Sequence, residues 1–221
     1  MQNYKKAVYL QSGMNKEEQI IIDSYKSISA LSTGIYKDSG SKFLSFAFPV
    51  KSEEEVKSEL EKIKKEYFDA THHCYAYRIG IKGEIHRMND DGEPSSSAGR
   101  PIYGQLLSKE LSDTLVIVVR YFGGTKLGIP GLIKAYKTAT SEALGQATII
   151  EKIVKERYEL LFDYPDMNSI MRLLKEYNIV PRESHFDNRC SLVAEIRARD
   201  VRQFLAKLKE TIINITICQK V

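Results

Sequence analysis

The segment from Thr114 to Gly131 constrains the fold more than any other part of this sequence. Its first half contains the run Leu115–Val119, in which every residue is apolar, so a strand formed here is apolar on both faces. Such a strand needs other layers to cover it from both sides. A glycine-rich stretch follows. An amphipathic pattern then predicts a helix that begins at about Pro130 and stops at Gly145.

The residues before this segment predict a hairpin and a capped helix. Asp38-Ser39-Gly40-Ser41 separates two β-like runs, and Asp and Gly tolerate the backbone angles of a tight turn. Ser52-Glu53-Glu54-Glu55 has the pattern of a capping box, in which the serine and the third glutamate accept from free N–H groups. We further expect strands over 71–81, 85–88 and 114–120 and a helix over 97–109.

The pattern restarts after Gly145 and predicts a second domain. Its elements follow in the order βαββαβ, which is the ferredoxin-like arrangement, and Asp166 and Asp200 are the predicted caps of its helices. The expected fold class is α+β. The expected organisation is a tail over 1–17, in which Met14 is an alternative start, an N-terminal domain over 18–147 and a C-terminal domain over 148–221.

Charge and composition exclude several classes of protein. The chain has 33 Lys and Arg residues and 29 Asp and Glu residues, which gives a net charge of +4. This charge is too small to indicate a nucleic-acid-binding protein without other signals. No run approaches the ~18 apolar residues of a membrane span, and the stretch from Met1 to Ser12 has no apolar core of the length that predicts a signal peptide. The three cysteines have no metal or redox spacing. We therefore expect a cytoplasmic protein with no membrane association, cofactor or metal.

The glycine-rich stretch after the apolar strand is the first candidate site. No acidic residue occurs from Thr114 to Ser141, whereas four basic residues do. Backbone N–H groups in such a loop and at the following helix start attract anions. The alternative is a tight turn that needs glycine only for its geometry. The candidate anion-binding or nucleic-acid-binding residues are Arg120, Tyr121, Gly123, Gly124, Lys126, Gly128, Lys134 and Lys137.

An acidic loop just upstream is the second candidate site. Asp90, Asp91 and Glu93 place three carboxylates within four residues, and carboxylate oxygens are ligands for Mg²⁺. The alternative is a solvated turn capped by its own Asp and Ser side chains. The candidate residues of this functional loop, with the strand residues that would assist it, are His72, Arg87, Asp90, Asp91, Glu93 and Ser95.

Several spaced motifs resemble those of the YigZ/Impact family, over about 25–144. They are Asp69-Ala-Thr-His-His-Cys-Tyr-Ala-Tyr77, Asp90-Asp-Gly-Glu-Pro94 with Ala98-Gly99, Arg120-Tyr-Phe-Gly-Gly124, Leu127-Gly128, Gly131-Leu132 and Ala135-Tyr136. The sequence departs from the family at Ser96-Ser97, where glycine and threonine are usual, and at Pro130-Gly131, where a glycine pair is usual. Pro130 removes one N–H group from the anion-binding loop.

This resemblance implies a fold and a role in translation. The first domain would have the fold of the second domain of ribosomal protein S5, an α+β sandwich. The C-terminal domain is similar to the additional domain of bacterial members, and the tandem resembles the last two domains of elongation factor G, which enter the ribosome. Eukaryotic Impact proteins regulate translation initiation by competing for the activator of a stress kinase.

Three functional hypotheses follow. The main one is a non-enzymatic, translation-associated protein that binds RNA, the ribosome or another phosphate-bearing partner through the basic loop, with a translation factor as a further protein partner. In it, Tyr121 stacks on a base. The alternative is a metal-assisted phosphoesterase or nuclease, in which Asp90, Asp91 and Glu93 hold Mg²⁺ and His72 or Arg87 assists. The third is a protein-interaction module in residues 151–221.

Overall fold

The computed structural model describes residues 23–187, 189–212 and 214–220. The predicted tail over 1–17 and the alternative start at Met14 lie outside these residues. The described chain forms two compact units, one over 24–152 and one over 153–220 together with Asp23. The division between the units falls between Lys152 and Ile153, which is C-terminal to the expected boundary after residue 147. The strand at this point pairs with the first strand of the first unit and therefore belongs mostly to that unit.

The first unit contains seven strands and three helices. They are β1 (Ser24–Ile28), β2 (Ser32–Asp38), β3 (Ser41–Pro49), α1 (Glu53–Glu66), β4 (His72–Ile79), β5 (Ile85–Asn89), α2 (Gly99–Ser108), β6 (Thr114–Tyr121), α3 (Gly128–Gln146) and β7 (Ile149–Ile153). Five strands form one sheet in the order β2-β3-β6-β4-β5, and β1 pairs with β7 separately. The predicted hairpin at Asp38–Ser41 is confirmed as the β2–β3 turn.

Strand β6 is the centre of the five-stranded sheet and is buried on both faces, as the sequence predicts. Val116 and Val118 pack into a core with the side chains of α2 and α3. Leu115, Ile117 and Val119 pack into a second core with α1. Both neighbours of β6 run antiparallel to it. The sheet around β6 is therefore antiparallel, and helices cover both of its faces.

The ends of helices α1 and α3 differ in detail from the sequence prediction. The Ser52 hydroxyl accepts from Glu55 N–H at 3.3 Å, as predicted, but the Glu55 carboxylate accepts from Lys51 N–H at 2.7 Å rather than from Ser52. Helix α3 begins at Gly128 and continues through Gly145 to Gln146. The helix is predicted correctly, but Pro130 is its third residue rather than its first, and Gly145 is its second-last residue rather than its stop.

The second unit has the predicted order of elements. Its strands and helices are β8 (Lys155–Asp163), α4 (Met167–Glu176), β9 (Arg182–Phe186), β10 (Arg189–Arg197), α5 (Val201–Thr211) and β11 (Thr216–Lys220). The strands form an antiparallel sheet in the order β11-β8-β10-β9, with a core of its own. Asp166 and Asp200 precede α4 and α5 but make no side-chain cap, because each ends a short 3-10 turn that leads into the helix.

No helix in the described part of the chain is long and apolar enough to cross a membrane.

Candidate functional site

A buried ion pair joins the two loops that the sequence singles out. The alternation of β6 places Arg120 on the same face as Val116 and Val118, towards α3. Its guanidinium NH1 donates to Glu93 Oε1 at 2.7 Å, and the two side chains are only 6% and 3% exposed. The acidic loop thus reaches the glycine-rich loop through Glu93, although 27 residues separate the partners along the chain.

The turn before Glu93 is shaped so that this carboxylate points inward. Asp91 and Gly92 both have positive φ, and Glu93 N–H donates to the carbonyl of Asp90 at 2.9 Å. Glu93 Oε1 also accepts from the Tyr136 hydroxyl at 2.8 Å, from the buried face of α3. A buried carboxylate is stable only with such charge-assisted partners. The Glu93–Arg120–Tyr136 group is called the buried network below.

His72 and Cys74 border the buried network from strand β4. His72 Nε2 lies 3.9 Å from Glu93 Oε2, and Nδ1 donates to the carbonyl of Asp91 at 2.7 Å. The Cys74 thiol donates to Tyr136 at 3.3 Å. Burial raises the pKa of the Cys74 thiol and of the Tyr136 hydroxyl well above their ordinary values. Both groups therefore stay protonated at neutral pH, and Tyr136 remains a donor to Glu93.

A cleft of about 320 Å³ lies against the ion pair. It is bounded by the loop between β6 and α3 and by the first turn of α3, so the candidate loops share one concavity. Its lining is apolar apart from Glu93, Arg120 and Lys126. The lining residues are Glu93, Pro94, Arg120, Phe122, Lys126, Leu127, Gly128, Ile129 and Leu132.

The other two acidic residues stabilise the backbone instead of forming a metal site. Asp90 accepts from the N–H groups of Ala98 and Gly99, at 3.0 and 2.8 Å, and so holds the start of α2. Asp91 accepts from His73 N–H at 2.7 Å. The structure therefore does not bring Asp90, Asp91 and Glu93 together as one set of metal ligands, because each carboxylate has a different partner. Among the described residues, no group of three His, Cys, Asp or Glu side chains is placed to bind a metal ion.

Three further candidates do not face the cleft. Tyr121 follows Arg120 in β6 and points to the α1 face, where its hydroxyl donates to Asp69 at 2.8 Å. Arg87 lies opposite Tyr77 in the β4–β5 pairing and is on that same face. Because side chains alternate between the two faces of a strand, Tyr121 and Arg87 lie on the face of the sheet away from the cleft. Ser95 is exposed and does not line the cleft. The aromatic residue that lines the cleft is Phe122, the residue after Tyr121 along the chain.

The basic candidates differ in what they can contact. Arg120 is buried and paired with Glu93, and it lines the cleft without being a free surface cation. Lys126 is exposed and lines the cleft. Lys134 and Lys137 are exposed on α3, on the side opposite the residues that it buries.

The three candidate glycines are needed for different structural reasons. A Cβ on Gly123 would lie 1.8 Å from the carbonyl carbon of Gly40, and its N–H already donates to Ser41 Oγ at 3.2 Å. Gly123 therefore packs against the β2–β3 turn and has no free N–H for a ligand. Gly124 and Gly128 have positive φ, of 86° and 66°. These values let the chain turn from β6 into α3.

The start of α3 leaves donors beside the cleft. The first N–H groups of a helix have no partner within the helix, and no described side chain caps this end. Gly128 and Ile129 line the cleft at this point, whereas Pro130 has no N–H to offer. The partial positive charge of the helix terminus is thus added to that of Lys126.

The family described as Impact N-terminal domain matches residues 39–144, which include the buried network and the cleft. Fold and site thus define an α+β protein of the Impact-domain class. The IMPACT family member YvyE of Bacillus subtilis (strain 168) is 35% identical over 164 residues, 74% of this chain and 76% of that protein. The IMPACT family member YigZ of Escherichia coli (strain K12) is 32% identical over 172 residues, 77% of this chain and 84% of that protein. The chain belongs to the IMPACT family.

A solved structure supports the overall fold. The crystal structure of a hypothetical protein matches this chain with a TM-score of 0.67 and 29% sequence identity, and the match covers 90% of this chain and 98% of the other. The match extends over both units.

Proposed function

We propose that this chain is a translation-associated binding protein that engages RNA, in particular ribosomal RNA, through the loop between β6 and α3. The observation that carries the proposal is the start of α3. It is exposed, it has no described side-chain cap, and it lies in a stretch from Thr114 to Ser141 without an acidic residue. A phosphate group is the natural occupant of such a helix start.

The charge balance around the cleft supports the same partner. Glu93 and Arg120 neutralise each other, so the remaining charges are Lys126 and the helix terminus, both positive. Lys134 and Lys137 extend the positive surface along the exposed side of α3. A surface of this kind attracts the phosphate backbone whatever its sequence. The family resemblance supports translation as the setting.

Co-sedimentation with ribosomes over a series of salt concentrations tests this proposal. The test variant carries Lys126→Glu, Lys134→Glu and Lys137→Glu. The matched control carries Lys57→Glu, Lys64→Glu and Lys65→Glu, which change the net charge equally on exposed positions of α1. Arg120 is left intact, because its loss would leave the buried Glu93 uncompensated.

We expect salt-sensitive binding by the wild type and by the control. In the test variant, binding should weaken and the slope of log affinity against log salt should flatten by about one unit for each lysine that contacts a phosphate. Equal loss in the test and control variants, or no binding by the wild type at low salt, would contradict the proposal.

A further inference from the structure

We infer that the cleft against the Glu93–Arg120 pair is a binding site for one nucleoside monophosphate unit, with its phosphate at the start of α3 and its base against Phe122. The unit is either a free nucleotide or a nucleotide turned out of a single-stranded RNA, and both present the same chemistry. This inference rests on the proposed function in so far as RNA is the source of the nucleotide.

The size of the cleft suits one nucleotide. A volume of about 320 Å³ lies at the lower end of small-molecule sites, which span about 300–1,000 Å³. A double helix does not fit into such a space, whereas a single unstacked nucleotide does. Single-stranded loops are the usual target of sequence-specific RNA recognition, because their bases can be turned out into pockets.

One side of the cleft is built for an anion. Lys126 and the uncapped first turn of α3 line it. Arg120 supplies an independent observation: its side chain is 6% exposed, and its Nε has no hydrogen-bond partner among the described residues. A buried donor without an acceptor is costly, and because Arg120 lines the cleft, an anionic ligand there would lie next to this guanidinium and offset its charge.

The other side of the cleft is built for a flat apolar group. The Phe122 ring is 48% exposed and lies beside Arg120, whose guanidinium carbon is 5.5 Å from the ring centroid. Leu127, Ile129 and Leu132 continue this apolar wall. Inorganic phosphate or a phosphorylated sugar has nothing to place there, whereas a nucleobase stacks on an aromatic ring.

Titration calorimetry on the full chain tests the site. The probes are uridine and adenosine 5′-monophosphate, the two nucleosides, inorganic phosphate, a short single-stranded oligoribonucleotide and its duplex. The test variant is Phe122→Ala. Phe68→Ala is the matched control, because Phe68 is 82% exposed and does not line the cleft. Circular dichroism establishes that both variants are folded.

We expect each monophosphate to bind more tightly than its nucleoside and than inorganic phosphate. Phe122→Ala should weaken monophosphate binding by about tenfold through loss of stacking and leave phosphate binding unchanged, and Phe68→Ala should match the wild type. Tighter binding of the single strand than of the monophosphates and the duplex identifies RNA as the source. The reverse identifies a free nucleotide.

The inference is overturned if no monophosphate binds, if inorganic phosphate binds as tightly, or if Phe122→Ala behaves as the wild type. Its failure is distinguishable from that of the proposed function. Ribosome binding that persists while the monophosphates do not bind removes only the nucleotide site. Monophosphate binding without ribosome binding removes only the translation partner.

Discussion

At the scale of single residues, the pair of Glu93 and Arg120 determines the site. Both side chains are removed from water, and a buried ion pair is stable only where its partners meet with good geometry. Tyr136 supplies a second donor to Glu93, and Phe43 and Phe122 each have the guanidinium carbon 5.5 Å from the ring centroid. The pair therefore connects the acidic loop to the end of β6.

Removing either member of the pair should destabilise the first unit strongly. Arg120→Met leaves Glu93 as an uncompensated buried charge, and we expect a loss of about 3–5 kcal/mol in the free energy of unfolding. The double variant Glu93→Leu/Arg120→Met should lose less than Arg120→Met alone, because no buried charge remains. Urea unfolding followed by tyrosine fluorescence measures these changes. Lys62→Met, in the exposed pair with Glu59, is the control and should cost less than about 1 kcal/mol. A double variant less stable than Arg120→Met would refute this account.

At the scale of elements, the connection from β6 to α3 depends on particular glycines and not on others. Gly123 passes so close to Gly40 in the β2–β3 turn that a side chain has no room. Gly145 is the second-last residue of α3, and apart from its chain neighbours and the helix backbone no heavy atom lies within 4 Å of the position that a Cβ would occupy. The first glycine is required by tertiary contact, whereas the second is a weak helix former at an open position.

Alanine substitution at these two glycines should have opposite effects. Gly145→Ala should raise the free energy of unfolding by about 0.5–1 kcal/mol, because alanine loses less backbone entropy in a helix. Gly123→Ala should lower it by about 1–3 kcal/mol, because the backbone must shift to admit the methyl group. Thermal unfolding of both variants provides the measurement. Destabilisation by Gly145→Ala would instead indicate the left-handed helix stop that the sequence pattern predicts.

At the scale of the whole molecule, the chain has separate cores in its two units. The first unit packs helices on both faces of its five-stranded sheet, and β6 contributes to both cores. The second unit packs α4 and α5 into a core with β8 and β10. Phe204 of α5 is fully buried in that core.

Because the two units have separate cores, we expect a substitution in one core to destabilise that unit and not the other. Phe204→Ala should cost the second unit about 3–5 kcal/mol through the cavity that it leaves. Amide hydrogen exchange should accelerate in β8 and β10 and remain unchanged in β6. Phe43→Ala, which opens a cavity in the first unit, should show the reverse pattern. Equal acceleration in β6 and β8 with Phe204→Ala would show that the cores unfold as one.

Much of the fold was predictable because its signals are local. The apolar run Leu115–Val119, the turn at Asp38–Ser41 and the cap at Ser52 act over a few residues, and the structure confirms each of them. The predicted helix α3 is also present, but it begins before Pro130 and ends after Gly145, because proline is tolerated throughout the first turn and glycine in the last turn. The order βαββαβ of the second unit was also predictable from alternating patterns, although Asp166 and Asp200 do not cap its helices.

For the candidate site too, the predictable features are local and the others depend on tertiary contacts. The sequence by itself determined the basic, acid-free loop and the acidic turn, because both are contiguous properties of the chain. Only the tertiary structure decided that Glu93 turns inward to Arg120, that Asp90 and Asp91 hold backbone, and that Phe122 rather than Tyr121 faces the cleft. The physical reason is distance along the chain: 27 residues separate Glu93 from Arg120 and 43 separate it from Tyr136. Contacts of that separation depend on which faces of β4, β6 and α3 pack together.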